Sequence, residues 1–330
     1  MDWKNRKVLV TGAGGFIGSH LAEELASRGA KVRALIRYNS RNHWGFLEEL
    51  PEGLARNIDV WPGDVTDAHF VSKLVAGQEI VFHLAALISI PYSYAAPSSF
   101  IRTNVEGTLN VLEACLSHKT RKVVHTSTSE VYGTALYAPI DEKHPLQGQS
   151  PYSASKIGAD HLAESFFRSF GLPVAIARPF NTFGPRQSAR AVIPTIISQL
   201  LEDTSEIKLG SLNPIRDFNY VADTVSGFLA VAASEKTAGH AVNIGSGRGV
   251  SIAQTLKTIV QLTGRPARVK ADKARVRPPR SEVFKLVCDN RKARKLLGWK
   301  PRYSLEEGLA ATINYIQAHR RQYKPHLYNV

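Results

Sequence analysis

Along the first half of the chain, short runs of β-branched and other apolar residues alternate with stretches whose apolar positions recur at helical spacing. The runs "KVLVT", "KVRALI", "DVW", "IVFHLA", "KVVHTST" and "VAIARP" predict strands, several of them apolar on both faces. Between the first two, Ile17, Leu21 and Leu25 share one helical face; Val105, Leu109 and Leu112 do so before "KVVHTST". Another helix is expected to begin near Tyr152 and to carry Ile157, Leu162, Phe166 and Phe170. This alternation predicts an α/β fold, a doubly wound parallel sheet joined by crossover helices. After Pro179 the pattern gives way to loops punctuated by Gly, Pro and Asn, "RPFNTFGPRQ" and "LGSLNPIRDFNYV" being the longest. These predict a smaller lobe over the carboxyl edge of the sheet. A helix over about 221–234 and the strand "AVNIG" are expected to return to the sheet. The expected division is 1–178 plus about 221–248 for the sheet domain, and 179–220 plus 249–330 for a discontinuous second lobe.

Composition changes this picture in three respects. The 330 residues, 43% hydrophobic and 21% charged, suffice for a substantial core and argue against disorder. Lys and Arg number 42 against 28 Asp and Glu, a net charge of +14, and residues 265–302 hold fourteen basic against three acidic side chains. Such a surface favours an anionic partner, a phosphorylated small molecule or nucleic acid, and charge alone does not choose between them. Cys115 and Cys288 have no paired spacing, which argues against a disulfide framework or a metal site and fits a reducing cytoplasm. The start, "MDWKNRKVLVTG", lacks an apolar signal region, and no run approaches the roughly 20 apolar residues of a membrane span. A cytoplasmic protein without membrane association is therefore expected.

Two segments carry candidate chemistry. Directly after the first strand, "TGAGGFIGSH" places Gly12, Gly15 and Gly18 at three-residue spacing. In a strand–turn–helix setting this predicts a Rossmann-like turn, where backbone can approach a pyrophosphate and a helix N-terminus offers it free N–H groups. The second strand ends at Arg37 rather than at an acidic residue, which favours a ribose 2′-phosphate, hence NADP over NAD; a solvated surface charge is the alternative. The other segment is "TSTSEVYG", where a strand runs into hydroxyls and Glu130, followed by "YSASK", where Tyr152 and Lys156 share a helical face. A neighbouring ammonium would stabilise a tyrosinate and let Tyr152 take a proton from a substrate hydroxyl near neutral pH. Thr128 would bond the same oxygen. An interfacial core tyrosine is the bland reading for Tyr152, and a helix cap that for Glu130.

Taken in order, "TGAGGFIG", "GDVTD", "HLAA", "NVEGTLNVLEA", "TSTSEVYG", "YSASK" and "RPFNTFGP" resemble the nucleotide-sugar epimerases and dehydratases of the extended short-chain dehydrogenase/reductase family. The resemblance runs from Lys7 to about Pro301. It implies a catalytic set of Thr128, Tyr152 and Lys156, with Lys156 also holding the nicotinamide ribose. It further implies that Glu130 marks a 4,6-dehydratase: oxidation at sugar C4 acidifies C5–H, a carboxylate removes that proton as the C6 hydroxyl leaves, and hydride returns to C6. Many thymidine-diphosphate-glucose dehydratases carry Asp where this chain has Ser129. The Ser-Glu pair resembles GDP-mannose and UDP-N-acetylglucosamine 4,6-dehydratases instead, leaving Glu130, Tyr152 or water to protonate the leaving hydroxyl.

By the same resemblance, Gly12, Gly15, Phe16, Ile17, Gly18, Arg37, Asp64, Val65, Leu84, Ala85, Ala86, Asn104, Tyr152 and Lys156 would line the NAD or NADP site. Ser89, Asn181, Val192, Arg216 and Arg277 would bind the nucleotide-diphosphate sugar, the two arginines clamping the diphosphate. "SEVFKLVCDNRKARKLLGW" leans toward the UDP-N-acetylglucosamine enzymes. A homodimer through helices starting near Ser98 and Tyr152 is also implied. A UDP-sugar 4-epimerase, which would leave Glu130 idle, is the same-class rival. A nucleic-acid-binding protein on a dinucleotide fold is the rival from another class; the basic segment speaks against it, since it lacks regular aromatic interleaving.

Overall fold

The computed structural model describes residues 1–202 and 206–328. Strand β1 (Lys7–Thr11) shows why the first half folds as it does. Val8 and Val10 point to one side of the sheet, into a core with Leu21, Leu25, Phe82 and Phe228, while Leu9 points to the other, into a core with Val81, Val111, Val123 and Phe166. A strand apolar at successive positions needs cover on both faces, and helices supply it. Phe16–Ser27 and Val221–Ala233 cover the first; Gly107–Ser117 and Pro151–Phe170 cover the second.

The remaining strands of this sheet are β2 (Lys31–Arg37), β3 (Ile58–Gly63), β4 (Ile80–His83), β5 (Lys122–Thr126) and β6 (Val174–Pro179), with an edge strand from the second half. Further strands follow as β7 (Asn181–Phe183), β8 (Glu206–Leu209), β9 (Ile215–Tyr220), β10 (Ala241–Ile244), β11 (Gly249–Ser251), β12 (Arg268–Ala271) and β13 (Lys285–Leu286). The main sheet is ordered β10-β6-β5-β4-β1-β2-β3 and all its pairs are parallel. Strand order reverses between β1 and β4, so the crevice of a doubly wound sheet opens beyond the carboxyl ends of those two strands. A second set of strands gathers on β9, paired with β7, β11 and β13, and β8 pairs with β12. Helices Val192–Leu201, Ile252–Thr263 and Leu305–Ala318 pack there around Phe183, Ile193, Ile197, Ile259 and Leu309. Among the described residues no helix is long and apolar enough to cross a membrane.

The helix expected to start near Ser98 begins at Pro97 and passes through an unforeseen π-helical stretch, Ile101–Glu106, before Gly107–Ser117. On the helix that begins near Tyr152, Phe166 reaches the core and Phe170 is 59% exposed. The helix stops there because Gly171 takes the left-handed conformation.

Candidate active site

The crevice is built first by the glycine turn. Gly12 has φ +71°, and a Cβ there would stand 2.9 Å from the Ala85 amide nitrogen; a Cβ at Gly18 would run into the Gly12 carbonyl. Gly15 caps the helix Phe16–Ser27 without a side chain, so its first-turn N–H groups carry no side-chain cap. The loop after β2 folds onto this turn, with the Phe46 amide donating to Gly14 O at 3.0 Å. A close-approach turn with an uncapped helix start fits a dinucleotide pyrophosphate.

The opposite wall is fixed by a buried hydrogen-bond chain. The amides of Leu84 and Ala85 donate to Thr11 Oγ1, which bonds His83 Nδ1 at 2.9 Å. His83 Nε2 bonds Thr108 Oγ1, which donates to the Asn104 carbonyl at 2.6 Å. Burial holds His83 well below the usual imidazole range, so the ring is neutral. Asn104 is fully buried; its amide donates to Leu87 O and Ser155 Oγ and accepts from Leu87 N. Both amide hydrogens are spent inside the protein. Asn104 thereby positions the loop through residues 84–87, on the wall where it is expected to line the cofactor site.

The catalytic candidates meet at the end of β5. Thr128 is extended and caps the 3₁₀ turn Ser129–Tyr132, accepting from the Glu130 amide at 3.2 Å. Its side chain also lies close enough to the Tyr152 phenol to pull it down. Tyr152 and Lys156 lie in the first turns of Pro151–Phe170, which starts sharply because Ser150 and Ser153 form a capping box and Pro151 fills the first position. Ile90 and Phe100 pack against Tyr152, and Ser89 caps the helix Ile90–Ala95 beside it. Ser129 is buried in the same turn.

Burial dominates the electrostatics here, a cause that sequence spacing does not reveal. It pushes the Tyr152 phenol upward; Thr128 lowers it, and Glu130 and Asp160 push it up again. Burial pulls the Lys156 ammonium down to about 8 against the pull of Asp160.

Above these groups, Arg277 Nη1 lies 3.8 Å from Glu130 Oε2, and Arg216 Nη2 lies 3.4 Å from Glu282 Oε1. Arg216 is buried, its guanidinium pulled down by that burial and next held up by Glu130. Arg277 Nη1 and Asn181 Oδ1 are buried without hydrogen-bond partners. The expected phosphate-clamping residues Arg216 and Arg277 thus converge on Glu130. Arg37 and Asp64 sit exposed at the ends of β2 and β3, and Val65 is buried, its carbonyl accepting from Asn110. Val192 is half-buried at the start of Val192–Leu201, packed on the second lobe's core.

Sequence reasoning missed the polar cluster behind Lys156: Asp160, His125, Ser127 and Arg178, all buried and mutually bonded. Two signals pointed there: a histidine inside the apolar run "KVVHT", and an aspartate one helical turn after Lys156.

Comparison with known proteins agrees with this architecture. The family model for GDP-mannose 4,6 dehydratase matches residues 9–312. A dTDP-glucose 4,6-dehydratase from Actinoplanes sp. is 32% identical over 95% of this chain and 98% of its own. A dTDP-glucose 4,6-dehydratase from Streptomyces venezuelae, solved with NAD bound, superposes with a TM-score of 0.84 at 29% identity, covering 96% of this chain and 99% of that one. A UDP-N-acetylglucosamine 4-epimerase from Methanobrevibacter ruminantium gives a TM-score of 0.86 at 30% identity, over 96% and 99% of the two chains. The chain therefore belongs to the GDP-mannose 4,6-dehydratase family, within the nucleotide-sugar dehydratases and epimerases of short-chain dehydrogenase/reductase type.

Proposed function

We propose that this protein is a nucleotide-sugar 4,6-dehydratase acting on UDP-N-acetylglucosamine to give a 4-keto-6-deoxy sugar. The observation that carries the reading is Glu130: a carboxylate two residues beyond Thr128, close enough to Tyr152 to act on its phenol, and facing Arg277. A simple epimerase has no use for a base there. Thr128 and Tyr152 would hold the sugar C4 hydroxyl, with Tyr152 removing its proton. The bound nicotinamide would supply the hydride acceptor at C4 and the donor at C6. Glu130 would take the C5 proton as the C6 hydroxyl departs. Of the two protons then held by Tyr152 and Glu130, one would leave with that hydroxyl as water and the other return to C5 as hydride adds to C6, so the substrate loses one water and is neither oxidised nor reduced overall. Lys156, largely protonated at neutral pH with its ammonium near 8, would hold the ribose and supply positive charge beside Tyr152. Arg216, Arg277 and Asn181 would hold the diphosphate, and Ser89 and Val192 would line the sugar and base ends.

The sugar is assigned by the resemblance of "SEVFKLVCDNRKARKLLGW", the cofactor preference for NADP by Arg37, which has no ion pair among the described residues. Exposed Ile101 and Phe170, on the two helices expected at a dimer interface, support a homodimer, and two unpaired buried cysteines suit the cytoplasm. A 4-epimerase is the second reading, favoured by the similarity to the Methanobrevibacter enzyme, and would need only Thr128, Tyr152 and Lys156. Mass spectrometry of UDP-, GDP- and dTDP-sugars incubated with the protein and NAD(P) separates the two. Loss of one water, abolished in Glu130→Gln with cofactor binding retained, is the expected result. Epimerised product with its C6 oxygen in place, or undiminished dehydration by Glu130→Gln, would refute the dehydratase reading.

A further inference from the structure

The buried cluster behind Lys156 ties together the two segments that carry the candidate chemistry. Asp160 lies one helical turn beyond Lys156 on Pro151–Phe170, with no exposed surface. Its Oδ1 accepts from His125 Nε2 at 3.1 Å; its Oδ2 accepts from Ser127 Oγ at 2.6 Å and from Arg178 Nε and Nη2 at 3.2 and 3.0 Å. Ser127 immediately precedes Thr128. Arg178 extends the chain to the other end of the turn, donating from Nη1 to Tyr132 Oη at 3.1 Å with its guanidinium 5.2 Å over the Tyr132 ring. Tyr132 Oη is anchored in turn on Asn243 Oδ1 at 2.7 Å. The residues between Ser127 and Tyr132, including Thr128 and Glu130, are therefore clamped at both ends to one carboxylate on the helix that bears Tyr152 and Lys156.

We propose that Asp160 is the positioning residue of this site: it fixes Thr128 and Glu130 relative to Tyr152 and Lys156, and its carboxylate is the counter-charge of the Lys156 ammonium. The proposal rests on the dehydratase reading for the roles of Thr128 and Glu130, but not for the geometry. Burial alone would raise the Asp160 carboxyl, yet the His125 hydrogen bond and the charges of Arg178, His125 and Lys156 bring it down to about 2, so it is ionised throughout the working range. The other titratable groups facing Lys156 add no negative charge. His83 on β4 and His125 on β5 are both held low by burial, and Arg178 on β6 is already engaged by Asp160. The Tyr152 phenol, on the helix itself, is pushed up by burial.

The test compares Asp160→Asn and Ser127→Ala with the unaltered protein, using UDP-N-acetylglucosamine and NAD(P), with kinetics normalised to cofactor-binding sites. Asp160→Asn is expected to lower kcat on the order of 10- to 100-fold at nearly constant KM, as a displaced catalytic group does. Its alkaline limb should move to lower pH, because Lys156 loses the negative charge that keeps it protonated. Ser127→Ala keeps the Asp160–Arg178 charges and so folds; its kcat should fall several-fold with KM and the alkaline limb unchanged. A cofactor-binding curve against pH, measured without sugar, should show Asp160→Asn losing affinity at lower pH than the unaltered protein. Unchanged kcat in Ser127→Ala, or coincident pH curves for Asp160→Asn and the unaltered protein, would overturn the proposal. Should Asp160→Asn fail to fold, Ser127→Ala decides alone. If the unaltered protein turns over no nucleotide sugar, the dehydratase reading falls while the binding curves still judge Asp160.

Discussion

Gly12→Ala is the substitution whose consequence follows most directly from the coordinates. Gly12 has φ +71°, a conformation that costs an L-residue roughly 1–2 kcal/mol. The added Cβ would stand 2.9 Å from Ala85 N, 3.0 Å from Ala85 Cα and 3.1 Å from Leu84 C, all backbone atoms that cannot swing aside as a side chain would. Those same amides donate to Thr11 Oγ1 at 3.0 Å, so the loop cannot retreat without lengthening bonds to the Thr11–His83 chain. Overpacking of this kind adds roughly 1–3 kcal/mol, giving a total of about 2–5 kcal/mol and a Tm lowered by roughly 3–7 °C in a chain of this length. The displaced loop is also the wall of the proposed cofactor crevice, so NAD(P) affinity should fall about tenfold or more, in line with a loss of about 1.4 kcal/mol or more in binding. Differential scanning fluorimetry and fluorescence titration with NAD and NADP measure both. Gly53→Ala is the control: it lies in the short exposed helix Glu52–Ala55 with nothing near its added Cβ, and alanine there should be neutral or stabilising by up to about 1 kcal/mol. If Gly12→Ala matches Gly53→Ala in Tm and binds cofactor with unaltered affinity, the crowding argument is wrong.

Two further outcomes follow from charges in the cleft. Arg277→Met removes a forked donor from the proposed diphosphate site; loss of one charge-assisted hydrogen bond, about 1.5–3 kcal/mol, should raise KM for the nucleotide sugar roughly 10- to 100-fold with kcat within a few-fold. A fall in kcat at constant KM would instead place Arg277 in the chemistry through its 3.8 Å pairing with Glu130. Arg37→Ala should lower NADP affinity about tenfold while leaving NAD affinity nearly unchanged, checked by paired titrations; an unaltered protein that already prefers NAD would remove the basis for reading Arg37 as a 2′-phosphate ligand.

The parallel sheet was legible because β1, β4, β5 and β6 are apolar at consecutive positions, a pattern that only burial on both faces satisfies. The glycine turn was legible for a similarly local reason, since spacing and a preceding strand suffice to specify it. What escaped depends on partners distant in sequence. The π-helical stretch at Ile101–Glu106 accompanies the burial of Asn104 against Leu87 and Ser155, which no periodicity announces. The desolvation of Tyr152 escaped because the residues that bury it, Ile90 and Phe100, come from another segment. Asp160 escaped because its partners come from β5 and β6 and assemble only when the sheet closes.

The distribution of charge, rather than its amount, argues for the ligand. Some of the basic side chains in residues 265–302 are answered locally: Arg275 pairs with Asp272, Arg291 with Asp289, Lys270 with Glu206, and Lys292 donates to the Ala241 carbonyl. Arg277 is different, because it turns inward with a buried Nη1 that makes no hydrogen bond and faces Glu130 Oε2 at 3.8 Å. Around the candidate centre the charged groups form two layers. Below, Asp160 answers Arg178 and also acts on the Lys156 ammonium one helical turn away. Above, Glu130 faces both Arg277 and Arg216, with Glu282 shared by Arg216 alone. A seated diphosphate would draw the two guanidinium groups toward its own charges and free the Glu130 carboxylate to act as a base. On this argument the base is held in an ion pair until the nucleotide arrives. Free sugar should therefore be no substrate, even at concentrations far above the KM of the nucleotide sugar, and adding the matching nucleoside diphosphate in trans should not restore more than a trace of turnover, because the diphosphate would then compete for the cleft without carrying the sugar.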